Sequence, residues 1–538
     1  MKTNPHWISK IQSSMTSRKI ILLALLLCIG YLFYKRIGWD SGLSPLIQSD
    51  SQIKLYQTIE YKERGIHSHQ CYSKYKDFDE GYRFYPFRYP WTYFTTTMSG
   101  EKTCVFQYPS FFAQGFSLLP IPYRFYNGII LILYLLLSYA VVLFIRSIFD
   151  IEKFEYLALA GILYLVGYGI SSAIEFSESI PSQILLLFFF YAVFRLESDK
   201  PPLSFWSTFT CGFFGGVSIF LRSEAVIYIG FLGLAVIYFN RKHFVSFVKR
   251  YLPFVCGFAL ALVLLGYYNY HEFQEVLGVR SKVSFNDFSR LQIPDRIHLI
   301  SEFFLGDTNR VGFLFYCTPI ILLFGYVIFK IKLNQLQKLL ISVALSSFFG
   351  VVLLSPYSSG GLYLGMRFTE FSYLLFCIFA ISLLKTVTNK KQFQIILFMV
   401  FLQLGFGFYH VRKNFKTLDF VKRYHDIFQE KLENQPNAPV VHLSTFDLLL
   451  ISDSFLKKPH WIVNKQSEFN DLESKFFNSG VDVFQVFVYD FKPPKDANVT
   501  EVFYNEWVDT KYEIESKFYK KKSDEEIAGF RFMVWERK

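Results

Sequence analysis

The chain has 538 residues, a mean hydropathy of +0.26, 52% hydrophobic and 20% aromatic residues, and a formal net charge of +12. Apolar runs of 15–22 residues recur along it, separated by short basic clusters, which excludes an ordinary soluble domain and describes a multi-pass α-helical membrane protein. The basic residues sit in the connections between apolar runs, so the positive charge sets topology and gives no footing for nucleic acid.

The first apolar run, Ile20 to Tyr34, follows Lys2, Lys10, Arg18 and Lys19. No small-residue cleavage site precedes Cys28, where Leu27 stands, so the run reads as an uncleaved span. Further spans are expected at 125–146, 155–174, 179–195, 204–221, 224–240, 251–269, 311–329, 338–355, 368–385 and 393–409, about eleven in all. With the amino terminus inside, Arg146, Lys153, Arg195, Arg241, Lys330 and Lys385 fall in cytoplasmic connections, while the short outer connections hold only Arg222 and Arg367. That asymmetry predicts an amino terminus in the cytoplasm and a carboxyl terminus outside, with Lys35 and Arg36 as a local exception.

Two outer segments, 35–124 and 270–310, are too long to be simple connectors and are expected to carry function. Cys71 and Cys104 lie alone in the first of them, and both a disulfide and two free thiols are open; the other five cysteines fall within apolar runs. Beyond residue 410 the apolar runs stop. There "APVVHLSTFDLLL", "VDVFQVFVYDF" and "GFRFMVWERK" read as strands and "TLDFVKRYHDIFQEKLEN" as a helix, predicting a small outer α/β domain over 411–538 after a transmembrane domain over 1–410.

Just after the first span comes "LIQSDSQIKLYQTIEYKERG", residues 46–65. Ser49 and Gln52 have the spacing of a capping box, which places Asp50 in the first turn of a helix. Asp50, Lys54, Gln57 and Tyr61 then share a polar stripe, with Ile53, Tyr56 and Ile59 on another face. Such a helix would lie in the membrane interface with its stripe facing outward or into a site. The helix dipole favours the Asp50 carboxylate, which could accept a proton from a hydroxyl or hold a metal; the bland alternative is a residue that only caps and solubilises the helix. On the same outer side lie Glu175, Glu178, Arg222, Glu224, Arg367 and Glu370. Any one of these could be an interfacial snorkelling residue, but their convergence on one side favours a shared polar cavity.

In order and sidedness the chain resembles the membrane-embedded GT-C glycosyltransferases, such as the protein O-mannosyltransferases and the enzymes that transfer aminoarabinose to lipid A. "SDSQIKLYQTIEYKERG" is similar to the first-loop segment that carries that family's catalytic acid, matched by Asp50. "CVFQYPSFFAQGFSLLPIPYRFYNGIILILYLLL", with Tyr108 and Pro109, resembles the aromatic and proline run into the second span. "GFFGGVSIFLRSEAVIY" with Arg222 and Glu224, and "SSGGLYLGMRFTEFSYLL" with Gly360, Gly361, Gly365 and Arg367, resemble the family's two outer-end arginine segments. The resemblance implies a polyprenyl-phosphate-linked sugar donor, a glycan, lipid or protein acceptor, and transfer with inversion at the outer face of the cell (inner) membrane. It implies Asp50 as general base and Arg222, Arg367 and Lys54 against the lipid phosphate. Gln57, Tyr108, Glu175, Glu178, Glu224 and Glu370 are expected to bind substrate, and Arg280, Lys282 and Arg310 are further phosphate candidates.

There are departures. Asp50 is followed by Ser51 and Gln52 where many members carry a paired acidic motif, so no cofactor is expected, a divalent metal being open but not favoured; Asp40, in "GWDSG", competes as the acid but lacks the helix that follows Asp50. A transporter or flippase for lipid-linked saccharides would be expected to show internal repeats, and none stands out. A glycan polymerase or ligase would use the same carriers, but the early Asp in a long first loop favours the transferase. No dinucleotide fingerprint or P-loop is visible.

Overall fold

The computed structural model describes residues 27–32, 34, 49–75, 77–79, 81–88, 91–96, 102–167, 169–201, 203–241, 244–306, 311–356, 367–435, 437–444, 447–489, 507, 510–527 and 529–538. Most of the first expected span, Asp40, Arg310, Gly360, Gly361 and Gly365 lie outside these residues. The chain divides into two compact units. One is drawn from Met1–Gly38, Phe125–Tyr268 and Asp287–Phe415, the other from Trp39–Arg124, Asn269–Asn286 and Lys416–Lys538.

The first unit is helical. Among the described residues, six helices are long and apolar enough to cross a membrane, and four shorter apolar helices accompany them. The six include α3 (Tyr126–Phe149), α6 (Ser179–Glu197), α9 (Phe244–Phe273), α14 (Gln335–Leu354), α15 (Glu370–Thr386) and α16 (Lys390–Glu433); the shorter ones are α4 (Phe154–Leu165), α7 (Phe205–Leu221), α8 (Ala225–Asn240) and α13 (Thr318–Lys330). Helix α15 is almost wholly enclosed and packs against α3, α4 and α14, which explains why its apolar residues run all the way round it. Helices α7 and α9 cross backbone to backbone. A Cβ on Gly212 would meet the carbonyl oxygen of Phe254 at 2.0 Å, and one on Gly257 would meet that of Phe209 at 2.0 Å, so only glycine fits either side of the crossing.

The expected single span at 155–174 is broken: α4 ends at Leu165 and a short α5 (Ile170–Ala173) follows. The carbonyls freed there are taken by phenols. Tyr373 donates to Leu163 O at 3.1 Å, Tyr134 to Tyr164 O at 3.0 Å, and Tyr316 to Val166 O at 2.6 Å. A break at membrane depth needs such partners, because lipid offers none.

The second unit opens with α1 (Ser49–Arg64), which packs on α2 (Ser110–Ser117). Between them β1 (Thr92–Thr96) and β2 (Lys102–Phe106) form an antiparallel hairpin in which Phe94 pairs with Cys104. A disulfide joins Cys71 to Cys104, and the Cys71 amide donates to Cys104 O at 2.9 Å, so the segment after α1 is tied to β2 twice. The bond closes a loop with a sequence separation of 33 residues. Opening it is expected to cost about 4 kcal/mol on the loop-entropy argument. The check is the melting temperature of the purified chain with and without reductant, and Cys71→Ser/Cys104→Ser should melt low and ignore reductant; equal melting of wild type in both conditions would contradict it.

Toward the carboxyl end lies a five-stranded sheet in the order β4-β3-β5-β7-β6, made of β3 (Val440–His442), β4 (His460–Ile462), β5 (Val483–Tyr489), β6 (Tyr519–Ile527) and β7 (Phe530–Arg537). β3, β4 and β5 are parallel, with α18 (Gln466–Asn478) crossing between β4 and β5; β5–β7 and β7–β6 are antiparallel. Its core gathers Val441, Trp461, Phe469, Phe476, Phe484, Val486, Trp507 and Trp535, and takes in Phe84 from the first loop. β6, "YKKKSDEEI", is the charged edge strand, and its lysines and carboxylates guard an edge that could otherwise pair with another chain.

Between β3 and β4, α17 (Ser452–Lys457) carries Asp453, whose carboxyl burial pushes up to about 7. Between about pH 4, the ordinary value, and pH 7, the folded chain keeps a proton that the unfolded chain gives up. Stability therefore falls as pH rises through that window. Asp453→Asn removes the penalty and is expected to stabilise the chain by about 3 kcal/mol at pH 8 and hardly at all at pH 4, read as melting temperatures at the two pH values; equal gains at both would contradict the assignment.

Candidate functional site

Helix α1 is buried from Asp50 through Tyr61, on its apolar and polar faces alike. The stripe of Asp50, Lys54, Gln57 and Tyr61 is therefore enclosed within the chain. The capping box cannot be followed, because the Ser49 side chain lies outside the described residues.

Tyr108 is brought to this stripe by the hairpin. β2 ends at Phe106, and the residues before α2 turn the Tyr108 ring onto the helix. Its hydroxyl donates to Asp50 Oδ1 at 2.5 Å, the short distance of a charge-assisted bond, and its carbonyl accepts from Gln57 Nε2 at 3.2 Å. Lys54 Nζ stands 4.9 Å from the centre of the same ring. The Arg280 guanidinium, from α10 (Val279–Arg290), stands 5.7 Å from it, and Arg280 Nη1 donates to Gln107 Oε1 at 2.5 Å. A carboxylate and two cations thus surround the Tyr108 phenol, with Lys54 almost wholly buried. Such a set can take a proton at the carboxylate and offset negative charge beside it. It suits an anion better than a cation, and among the described residues no group of three or more His, Cys, Asp or Glu is placed to hold a metal.

One further chain of contacts on the stripe has no counterpart in the sequence reading. Tyr61 and His69 Nδ1 are 2.8 Å apart, and His69 Nε2 is 3.0 Å from Glu272 Oε2, 203 residues away in sequence. Burial lowers the His69 pKa, against the opposing pull of Glu272. Lys282, by contrast, is paired with Glu275.

The charges expected on the outer side of the helical unit include a second group. Arg222 ends α7 in extended backbone and reaches Glu178 Oε1 with Nη1 at 3.3 Å and Glu224 Oε1 with Nε at 2.6 Å. Its guanidinium lies 5.4 Å from the Phe368 ring, and that of Arg367 lies 4.9 Å from the same ring. Glu370, at the start of α15, accepts from Ser172 Oγ and Gln183 Nε2, each at 2.7 Å. Arg222, Glu224, Tyr228, Arg367 and Glu370 line a cavity of ≈ 20 Å³, room for about one water. Glu175 is also buried. The helix ends therefore bring Glu178, Arg222, Glu224, Arg367 and Glu370 together, in a space too small for a sugar phosphate as it stands. This group belongs to the helical unit and the Asp50 group to the other.

No family model matches the chain, and no curated protein does. Among solved structures, ArnT from Cupriavidus metallidurans bound to undecaprenyl phosphate matches with 10% sequence identity, a TM-score of 0.51, and coverage of 95% of this chain and 97% of that one. The chain has an ArnT-like fold. The same ArnT in the apo state matches at 11% identity and a TM-score of 0.49, again over 95% and 97% of the two chains. At these identities the likeness speaks for the fold alone. In this ArnT-like chain the roles of Asp50, Lys54, Gln57, Tyr108 and the Arg222 group rest on the geometry above.

Proposed function

We propose that the chain is an integral-membrane glycosyltransferase that moves a sugar from a polyprenyl-phosphate carrier to a lipid, glycan or protein acceptor on the outer face of the membrane, with inversion. The observation that carries this is the Asp50–Tyr108 contact at 2.5 Å, flanked by Lys54 and Arg280, in a chain whose fold matches one bound to undecaprenyl phosphate. The acceptor oxygen attacks the anomeric carbon as its proton passes to the Asp50 carboxylate. The bond from that carbon to the phosphate oxygen breaks, and its electron pair leaves with the polyprenyl phosphate. Lys54 and Arg280 offset the charge that builds on the leaving group. No metal is needed, since these cations already supply that role.

The Arg222 group carries a second, separate assignment. Arg222 is already neutralised by Glu178 and Glu224, so it orders the helix ends. The Cys71–Cys104 bond supports an oxidising compartment for the first loop, hence the outer face of the cell (inner) membrane, with the amino terminus in the cytoplasm. About eleven spans fit this reading, the ten apolar helices being joined by the run at 20–34.

The test is release of undecaprenyl phosphate from an undecaprenyl-phosphate-linked sugar by the purified chain. Lys54→Met is expected to lower kcat about 100-fold. Equal turnover by Lys54→Met and wild type would contradict the role given to this cation.

A further inference from the structure

Residues 81–94 read "GYRFYPFRYPWTYF", aromatic rings interleaved with two arginines. Rings in such number would ordinarily fill a core, and Phe84 does, inserted among the residues of the carboxyl-terminal sheet. Ile462 N donates to Phe84 O at 2.9 Å and Arg88 Nη2 donates to Ile462 O at 3.1 Å, so the segment lies along β4. Tyr82, Phe87, Tyr93 and Phe94, with Arg83 and Arg88, line a cavity of ≈ 680 Å³, well within the range of small-ligand sites.

Each guanidinium is anchored by one nitrogen. Arg83 Nη2 pairs with Asp471, and Arg88 Nη2 donates to Arg83 O, Ile462 O and Glu468 Oε2 at 2.8, 3.1 and 3.4 Å. Among the described residues Nε and Nη1 of both arginines take no partner, which leaves two held forks with spare donors at the cavity. Phe94 is 41% exposed and Tyr93 half-buried, and both rings line the cavity. Flat apolar faces next to fixed donors match a sugar ring, with C–H groups on one side and hydroxyls at its edge; an acyl chain would leave the donors unsatisfied.

One helix touches both the cavity lining and the Asp50 group within the same unit. Lys282 Nζ stands 5.5 Å from the Tyr93 ring, two residues along α10 from Arg280, whose guanidinium lies against Tyr108. We propose that this cavity binds the saccharide portion of the acceptor, stacked on Tyr93 and Phe94 and hydrogen-bonded by Arg83 and Arg88. The acceptor role rests on the glycosyltransferase reading; saccharide binding itself does not.

The experiment is saturation-transfer NMR on the full-length chain in nanodiscs, with chitobiose, glucosamine 6-phosphate and decanoate as probes. At least one saccharide is expected to bind through its ring protons. Phe94→Trp should retain it, while Phe94→Leu and Arg83→Gln, both at exposed positions, should weaken it about tenfold. Binding of neither saccharide, binding indifferent to both Phe94→Leu and Arg83→Gln, or decanoate bound in its place would overturn the proposal. Sugar transfer that persists without such binding removes the cavity site and leaves the enzyme reading intact. Saccharide binding without transfer from any lipid-linked donor does the reverse.

Discussion

Replacing Asp50 by Asn is expected to lower kcat for sugar transfer about a thousandfold while donor binding is kept, since Asn fills the same space and cannot take the acceptor's proton. The partner variant Tyr108→Phe removes only the hydroxyl that bonds Asp50 Oδ1, and should cost about tenfold, because it frees the carboxylate to turn away without removing it. The pair is informative together. A base held by a phenol predicts a large loss at Asp50 and a smaller one at Tyr108. A residue that merely caps the helix predicts a loss of stability at Asp50 and no specific loss of turnover, so melting temperatures are needed beside the rates. If Asp50→Asn keeps its activity while Asp40→Asn abolishes it, the base has been assigned to the wrong carboxylate.

The second large effect belongs to Arg222. Its guanidinium is buried between Glu178 and Glu224, and Arg222→Met would leave two carboxylates there without their cation. The expected loss is about 3–5 kcal/mol, read as a fall in melting temperature and in the yield of monodisperse protein. Glu178→Gln and Glu224→Gln added to Arg222→Met should restore most of it, because the uncompensated charges go with the arginine. Arg222→Met as stable as wild type but inactive would point instead to an arginine kept for substrate.

Much of the Asp50 group was legible in the sequence, for a reason of geometry. The stride of 50, 54, 57 and 61 is helical, and a helix fixes which of its own residues share a face. Tyr108 could be singled out only by its place in an aromatic run, and Arg280 only as one basic residue among several in a long loop. Their meeting at one ring depends on a hairpin and a separate helix, which no local pattern records. The Tyr61–His69–Glu272 contacts show the same limit, with their last partner 203 residues away.

Elsewhere the misses have other causes. The break between the helices ending at Leu165 and starting at Ile170 is invisible to hydropathy because the residues on either side stay apolar; what marks it are tyrosines on three other helices. Strand β6 was missed because alternation is the signature of a strand with one buried face, and an edge strand of lysines and carboxylates lacks it. In the helical unit, sidedness alone pointed to Glu178, Arg222, Glu224, Arg367 and Glu370 as a group. It could not show that Arg222 is already occupied by two carboxylates.

The most direct measurement is the mass of the surface glycolipids and glycoproteins extracted from cells that carry the wild-type gene, no gene, or the Asp50→Asn gene. The transferase account predicts the same missing sugar in the last two, restored only by the wild type. Glycans of unchanged mass in all three would contradict it.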